Sequence, residues 1–436
     1  MNFAESLSYL LSLGNEVLAM KLGLASTEKL LAALGNPQNN FLKIQIAGTN
    51  GKGSTGAFLD SICRRANIET GLYTSPHLVS ITERIRINGA EISEKDFARH
   101  AARVRKISEN LVEKGELESV PTFFEQVTAI AVAAFAEAKI ELAILETGLG
   151  GRFDSVTATR AEIAAITPID YDHQKILGDT LAEIAAEKAA IIRETTQKVI
   201  VAPQKKEAEK VISGRCREIG IEPMRATSNF VIRKDAEIAP MLYATFKTSN
   251  DSYPNVLPSL LGRHQFANAA VAIAVAETLR DFQFDISQSS IIDGLQTAEH
   301  RGRLEFDGKI LFDGAHNVAG ARALADYLDE FVGQPLTLVF GAMRDKNLPE
   351  IAQILFPKAA RLILTKPDNP RAAETEELIK SLPENFDERK VFQTQTAAEA
   401  LKIARQVSRS NLICVTGSLY LVGEAQKALS ESVLER

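Results

Sequence analysis

The sequence predicts an α/β protein of two unequal units. Residues 1–297 read as a parallel sheet with a small antiparallel sheet attached, and residues 298–436 as a smaller Rossmann-like α/β unit. Three observations carry this. At 436 residues the chain exceeds one typical domain. Short apolar runs alternate with helical periodicities, the rhythm of a sheet covered on both faces. That rhythm changes near residues 229–247 and restarts after a junction at Thr297–Arg303.

Ser26–Leu34 reads as a short amphipathic helix closed by Gly35 and Pro37. Ile44-Gln45-Ile46-Ala47 is a strand, Gly48–Ser54 a glycine turn, and Phe58, Leu59 and Ile62 mark the helix behind it. Helical patterns at 95–113, 122–138 and 180–193 then alternate with apolar runs at Leu142–Leu145, Ile163–Ile166 and Val199–Val201. Val231-Ile232 and Leu242–Phe246, with charges and Pro240 between them, form the antiparallel excursion from about Asn229 to Lys247. A helix at Phe266–Arg280 returns to the first unit. Ile310–Phe312, Leu336–Phe340, Arg361–Leu364 and Leu412–Val415 are the strands of the second. Two such units enclose a cleft, and the glycine turn, at a strand's C-terminal end, should face it.

Hydrophobic content of 45% and charged content of 24% fit a soluble protein with a substantial core. A net charge of −6 argues against nonspecific nucleic-acid binding, so an anionic substrate needs local cations. Cys63, Cys216 and Cys414 lack any C-x-x-C spacing, which indicates neither a disulfide framework nor a zinc site. The N-terminus carries no basic leader region, and the most apolar helix, Val127–Ala136, is bracketed by Glu125 and Glu137 and too short for a bilayer. The expectation is a cytoplasmic protein without membrane or nucleic-acid partners.

Gly48-Thr49-Asn50-Gly51-Lys52-Gly53-Ser54 is the most informative stretch. A glycine turn between strand and helix aims backbone N–H groups at one spot, backed by a helix N-terminus and a lysine, which suits a polyphosphate. Ser54 can hold a magnesium ion on those phosphates. The spacing departs from G-x-x-x-x-G-K-[ST]: position 46 is Ile, and Gly53 separates Lys52 from Ser54. Glu146 ends its strand before Thr147-Gly148-Leu149-Gly150-Gly151, where a carboxylate suits a cation and the glycines imply a close approach to the backbone. His173 follows Asp170-Tyr171-Asp172 on the same sheet edge. In the helix opened by the capping box Thr180–Glu183, Lys188 shares a face with Leu181, Ile184, Ala185, Ile191 and Ile192. Such a lysine either snorkels past the helix edge or is desolvated, and a neutral amine can capture CO₂ as a carbamate.

The Gly-Thr-Asn-Gly-Lys-Gly-Ser loop resembles that of the Mur-type ATP-dependent amide ligases, in particular the branch of the folylpolyglutamate and dihydrofolate synthases. The resemblance extends over nearly the whole chain and implies that the N-terminal unit is a P-loop, Mur-ligase-like ATPase domain. Thr49, Asn50, Gly51, Lys52, Gly53 and Ser54 would then bind ATP. So would Asn268 of His264-Gln265-Phe266-Ala267-Asn268, Arg303 at the junction, and Asp313 and His316 of Asp313-Gly314-Ala315-His316-Asn317. It implies Ser54, Ser75 of Thr74-Ser75-Pro76-His77-Leu78, Glu146, His173 and a carbamylated Lys188 as the metal set, for two Mg²⁺ ions, with Lys52, Lys188 and His173 as catalytic groups. His173 as a ligand rests on the resemblance alone, since Mg²⁺ prefers oxygen. Arg84, in a Glu83–Gly89 segment similar to a mobile loop, would lie near the folate together with Thr122, Phe123, Phe124, Phe153, Asp154 and Ser155. Phe123 and Phe124 cannot both face one core stripe, so one of them either stacks on a pterin, as the resemblance implies, or stays partly exposed beside a hydrophobic staple.

The implied reaction joins L-glutamate to dihydropteroate and to reduced folates, with an acyl phosphate between, in a monomeric enzyme acting on small molecules. A synthase acting only on folate tails shares these motifs. A UDP-muramyl peptide ligase is a weaker alternative, because such ligases usually carry an extra N-terminal domain and few residues precede this loop. A regulatory protein without catalysis would not be expected to keep Glu146, His173, Lys188 and Asp313 together.

Overall fold

The computed structural model describes residues 1–14, 23–226, 230–234, 242–333, 335–384, 386–408 and 411–434. The N-terminal sheet comprises β1 (Leu42–Ala47), β2 (Thr70–Tyr73), β3 (Ile85–Ile87), β4 (Ala90–Glu91), β5 (Leu142–Glu146), β6 (Ile163–Ile166), β7 (Lys198–Val201) and β8 (Met224–Arg225). Their order is β4-β3-β2-β5-β1-β6-β7-β8. The strands from β2 to β8 in that order run parallel, and β3 and β4 close the far edge antiparallel. The strands are apolar on both faces because both are covered. Leu142 and Ile144 of β5 join the core under the helices Lys52–Arg65 and His264–Leu279, whereas Ala143 and Leu145 join the core under the helix Phe123–Glu137.

Register places the chemistry. Ile46 pairs with Glu146 and Ala47 with Ile166, so the loop leaving β1 emerges between the ends of β5 and β6. In a parallel sheet this is the carboxyl edge where ligands bind.

The antiparallel excursion is a three-stranded sheet, β9 (Phe230–Lys234), β10 (Leu242–Lys247) and β11 (Ser252–Val256). β11 was not expected, and Pro240 lies outside the described residues. The second unit carries a six-stranded sheet of β12 (Glu305–Asp307), β13 (Ile310–Asp313), β14 (Leu336–Phe340), β15 (Ala359–Leu364), β16 (Val391–Gln393) and β17 (Ile413–Thr416), ordered β12-β13-β17-β14-β15-β16. All but β12 run parallel.

Two local expectations are corrected. The helix expected over 180–193 stops at Ala189. Ile191 and Ile192 stay buried but follow in a tighter turn, their N–H groups bonded to Lys188 and Ala189. Glu83–Gly89 is not a loop: a short 3₁₀ turn leads into β3, and Asn88 and Gly89, both at positive φ, turn the chain into β4. Buried Ile85 anchors that hairpin. Among the described residues, no helix is long and apolar enough to cross a membrane. All three cysteines are free and buried.

Candidate active site

Two glycines allow the phosphate loop its path. Gly48 has φ 152°, and a Cβ there would lie 1.9 Å from Thr167 Oγ1; Gly51 caps the following helix at φ 87°. The N–H groups of Thr49 and Asn50 donate to the Pro168 carbonyl, and Thr49 exchanges hydrogen bonds with the Asp170 backbone. The loop is thereby fastened to the segment after β6 that carries Asp172 and His173.

Lys52 Nζ arches back to donate to the Gly48 and Thr49 carbonyls at 3.2 and 3.3 Å. Lys188 Nζ, from the other side, donates to the same Gly48 carbonyl at 2.8 Å. Burial, then the neighbouring Lys52 ammonium, pushes Lys188 down from 10.5 to about 7. Burial also lowers Lys52, with Glu146 and Asp172 opposing. Glu146 is raised by burial, against Lys52 and the Ser75 N–H, which donates to its Oε2 at 3.2 Å. Burial holds His173 at about 4 and His316 at about 3, so both imidazoles are neutral near pH 7.

The second unit meets the first at Asp172. Lys346 Nζ donates to Asp172 Oδ1 at 2.5 Å, and the two side chains are 6% and 8% exposed. Asn317 donates to Asp172 Oδ2 at 3.2 Å and to Asn50 Oδ1 at 2.9 Å. His316 Nε2 stands 3.7 Å from Asp172. Burial opposes ionisation of Asp172, but the Lys346 ammonium holds its pKa far below the usual carboxylate range.

One interdomain cleft of about 420 Å³ is lined by Thr49 to Ser54, Ser75, Glu146, His173, Lys188, Asn268, Arg303, Asp313 and His316. All residues expected at the nucleotide and metal sites thus share one space. Asp313 accepts the Leu304 and Ala315 N–H groups at 3.0 Å, which ties the junction to the end of β13. Ser54 and Glu146 offer hard oxygen donors there, and neutral His173 offers a nitrogen lone pair. Among the described residues no three His, Cys, Asp or Glu side chains form a metal cage by themselves. The set fits a cation that takes its other ligands from phosphates and water, as Mg²⁺ does.

A second cavity, of about 160 Å³, adjoins this cleft and shares Ser75, Pro76, Gly148, Leu149, His173, His316 and Leu419 with it. Thr122, Phe124, Phe153, Asp154 and Ser155 line it, and Lys346, Arg371, Ser418 and Tyr420 face it from the second unit. Thr122 caps its helix in a reciprocal capping box with Glu125. Phe123, 3% exposed, turns into the core, and Phe124 turns to the cavity. The close approach implied by the glycines after Glu146 is made by the protein itself: a Cβ at Gly148 would lie 2.5 Å from the Phe124 ring, and one at Gly151 2.7 Å from the Glu187 carbonyl. Asp154 accepts three N–H groups, from Gly148, Leu149 and Val156, while burial raises it to about 6. Arg84 and Phe123 do not line the cavity. Arg84 is 1% exposed, donates to His77 Nδ1 at 2.8 Å and stacks 5.5 Å from the Phe123 ring centroid.

Asp172, Gln265, Asn317 and His300 stand in segments singled out in the sequence but without a role there, and Lys346 and Arg371 fall in no such segment. Lys346 follows β14 at the carboxyl edge of its sheet, a position that could have singled it out. Nothing local marks His300, whose ring packs where a Cβ on Gly53 would come within 2.7 Å of its Nε2.

A phosphate loop facing a second α/β unit across a shared cleft defines an ATP-dependent amide ligase of the Mur type. The Mur ligase middle domain matches residues 46–276, and the Mur ligase glutamate ligase domain matches residues 302–419. The dihydrofolate synthase/folylpolyglutamate synthase of Bacillus subtilis is 34% identical over 420 residues, covering 94% of this chain and 95% of the relative. The folylpolyglutamate synthase of Mycobacterium tuberculosis complexed with ADP superposes with a TM-score of 0.89 at 28% identity, covering 100% and 99% of the two chains. The E. coli protein FolC in complex with DHPP and ADP gives 0.86 at 27% identity, covering 99% of each. The chain belongs to the dihydrofolate synthase/folylpolyglutamate synthase family of Mur ligases.

Proposed function

We propose that this enzyme ligates L-glutamate to dihydropteroate, forming dihydrofolate, and to the glutamyl tail of reduced folates. The observation that carries the reading is the wall shared by the nucleotide cleft and the Phe124 cavity, which lets an acceptor's carboxylate meet the terminal phosphate of ATP. That carboxylate attacks the γ-phosphorus, giving an acyl phosphate and ADP. The glutamate amine then attacks the acyl carbon and expels phosphate, so no side chain need become covalently attached. Relatives solved with ADP, with AMPPCP and with a manganese ion support ATP and a divalent metal as its partners.

In this reading residues 1–297 form the ATP- and folate-binding unit and residues 298–436 the glutamate-ligase unit. Lys52 and Arg303 neutralise the transferring phosphoryl group, and the N–H groups of the loop beyond Asn50 hold its neighbours. Asn268, Asp313 and His316 reach the nucleotide. Ser54, Ser75, Glu146 and His173 hold Mg²⁺, which supplies further charge neutralisation. Lys188 works as a carbamate: its neutral amine bonds to the carbon of CO₂ and releases one proton. Unmodified, two lysine nitrogens share the Gly48 carbonyl; modification turns the second into an anion that attracts Lys52 and metal alike. Thr122, Phe124, Phe153, Asp154 and Ser155 hold the pterin portion, while Phe123 and Arg84 support that wall from behind. The enzyme acts in the cytoplasm as a monomer.

The test is ADP release by the purified protein with L-glutamate and either dihydropteroate or a tetrahydrofolate. Glutamate-dependent turnover with both acceptors is expected. Turnover with only the second removes the dihydrofolate synthase activity, and turnover with neither removes the folate ligase reading.

A further inference from the structure

The helix His264–Leu279 starts against the phosphate loop, and its first five residues include Gln265 and Asn268. Gln265 is 1% exposed and Ser54 4%. Gln265 Nε2 donates to Ser54 Oγ at 3.3 Å, and Gln265 Oε1 accepts from Asn268 Nδ2 at 2.8 Å. An amide nitrogen only donates, so Asn268 fixes which end of the Gln265 amide faces it and leaves the NH₂ for Ser54. Asn268 itself lies close against the loop: a Cβ at Gly51 would come within 2.2 Å of its Oδ1. The chain Gly51, Asn268, Gln265, Ser54 thus leaves the loop at one glycine and returns to it at the serine two residues into its helix.

A serine hydroxyl offers two lone pairs and one hydrogen and rotates to suit its neighbours. The Gln265 N–H occupies one lone pair and turns the hydroxyl hydrogen away from it, which leaves the other lone pair for a cation. We infer that Gln265 is a positioning residue that sets the Ser54 hydroxyl for the divalent cation accompanying the nucleotide. This rests on Ser54 as a metal ligand, proposed above. A residue needed only for packing the helix against the loop would require bulk but no donor.

The experiment is calorimetric titration of the full-length protein with ADP, in Mg²⁺ and in EDTA, for wild type, Gln265→Leu, Ser54→Ala and the double variant. Gln265→Leu is expected to keep metal-free ADP affinity within about twofold while cutting the Mg²⁺ enhancement about fivefold, the effect of one oriented neutral hydrogen bond. In the Ser54→Ala background it should cut nothing further, because the two residues act as one unit. Equal weakening with and without Mg²⁺ shows a packing role and overturns the inference. An unchanged enhancement in Gln265→Leu beside a reduced one in Ser54→Ala overturns the inference and leaves Ser54 as a ligand. A full enhancement in Ser54→Ala removes both. Should Gln265→Leu melt early, Gln265→Met, which keeps chain length without a donor, carries the same comparison.

Discussion

Replacing Lys188 by Met tests the environment on which the carbamate depends. Methionine keeps the stem of the side chain and deletes the amine, and the Gly48 carbonyl retains Lys52 as a donor. The fall of Lys188 from 10.5 to about 7 corresponds to a cost on the order of 5 kcal/mol for burying the ammonium below pH 7. The sign follows from proton counting. Between about pH 7 and 10 the unfolded chain keeps this proton and the folded chain has lost it, so folding releases a proton and stability rises with pH. From about pH 7 to about pH 9, wild type should gain about 2 kcal/mol relative to Lys188→Met in CO₂-free buffer. Urea unfolding followed by far-ultraviolet circular dichroism at the two pH values measures the difference. Bicarbonate should then stabilise wild type alone, by mass action on the folded state. Glutamate-dependent ADP release should fall severely in the variant. A difference in stability that stays flat or shrinks with pH refutes the depressed amine; near-normal turnover refutes the carbamate.

The bridge between Lys346 and Asp172 joins the two units inside a buried contact, so Lys346→Ala strands a carboxylate and should cost about 3–5 kcal/mol. Chemical unfolding measures it, and a loss under about 1 kcal/mol would show that water or another cation already compensates Asp172. Gly48→Ala sets a methyl group against Thr167 and should abolish ATP binding while the second unit keeps its circular dichroism; titration with a normal ATP affinity would contradict the loop geometry.

Much of the site was legible in the sequence because phosphate binding demands backbone. Gly48 and Gly51 had to be glycines for the path of the loop, and the apolar run before them located the sheet edge. Glu146 was recoverable for a similar reason, as the last residue of an apolar strand. The pair Phe123-Phe124 was legible only as a conflict, one ring too many for a single stripe, and the fold sent the first inward and the second to the cavity. The surroundings of Arg84 were not legible, because its contacts with His77 and Phe123 are made by the fold. The end of the helix at Ala189 was hidden because Ile191 and Ile192 continue the apolar period in a turn that buries them equally.

By itself, the sequence determined the two α/β units, the phosphate loop and the class of ligase, since these depend on local period, glycine conformations and short motifs. Only the tertiary structure decided that Lys346, Asn317 and His316 converge on Asp172, that Gln265 reaches Ser54, and that two lysines face one carbonyl. Such pairings join residues more than a hundred positions apart, so no local pattern encodes them. Those at Asp172 arise where the carboxyl edges of the two sheets face each other, and the others where elements of the first unit meet around the phosphate loop.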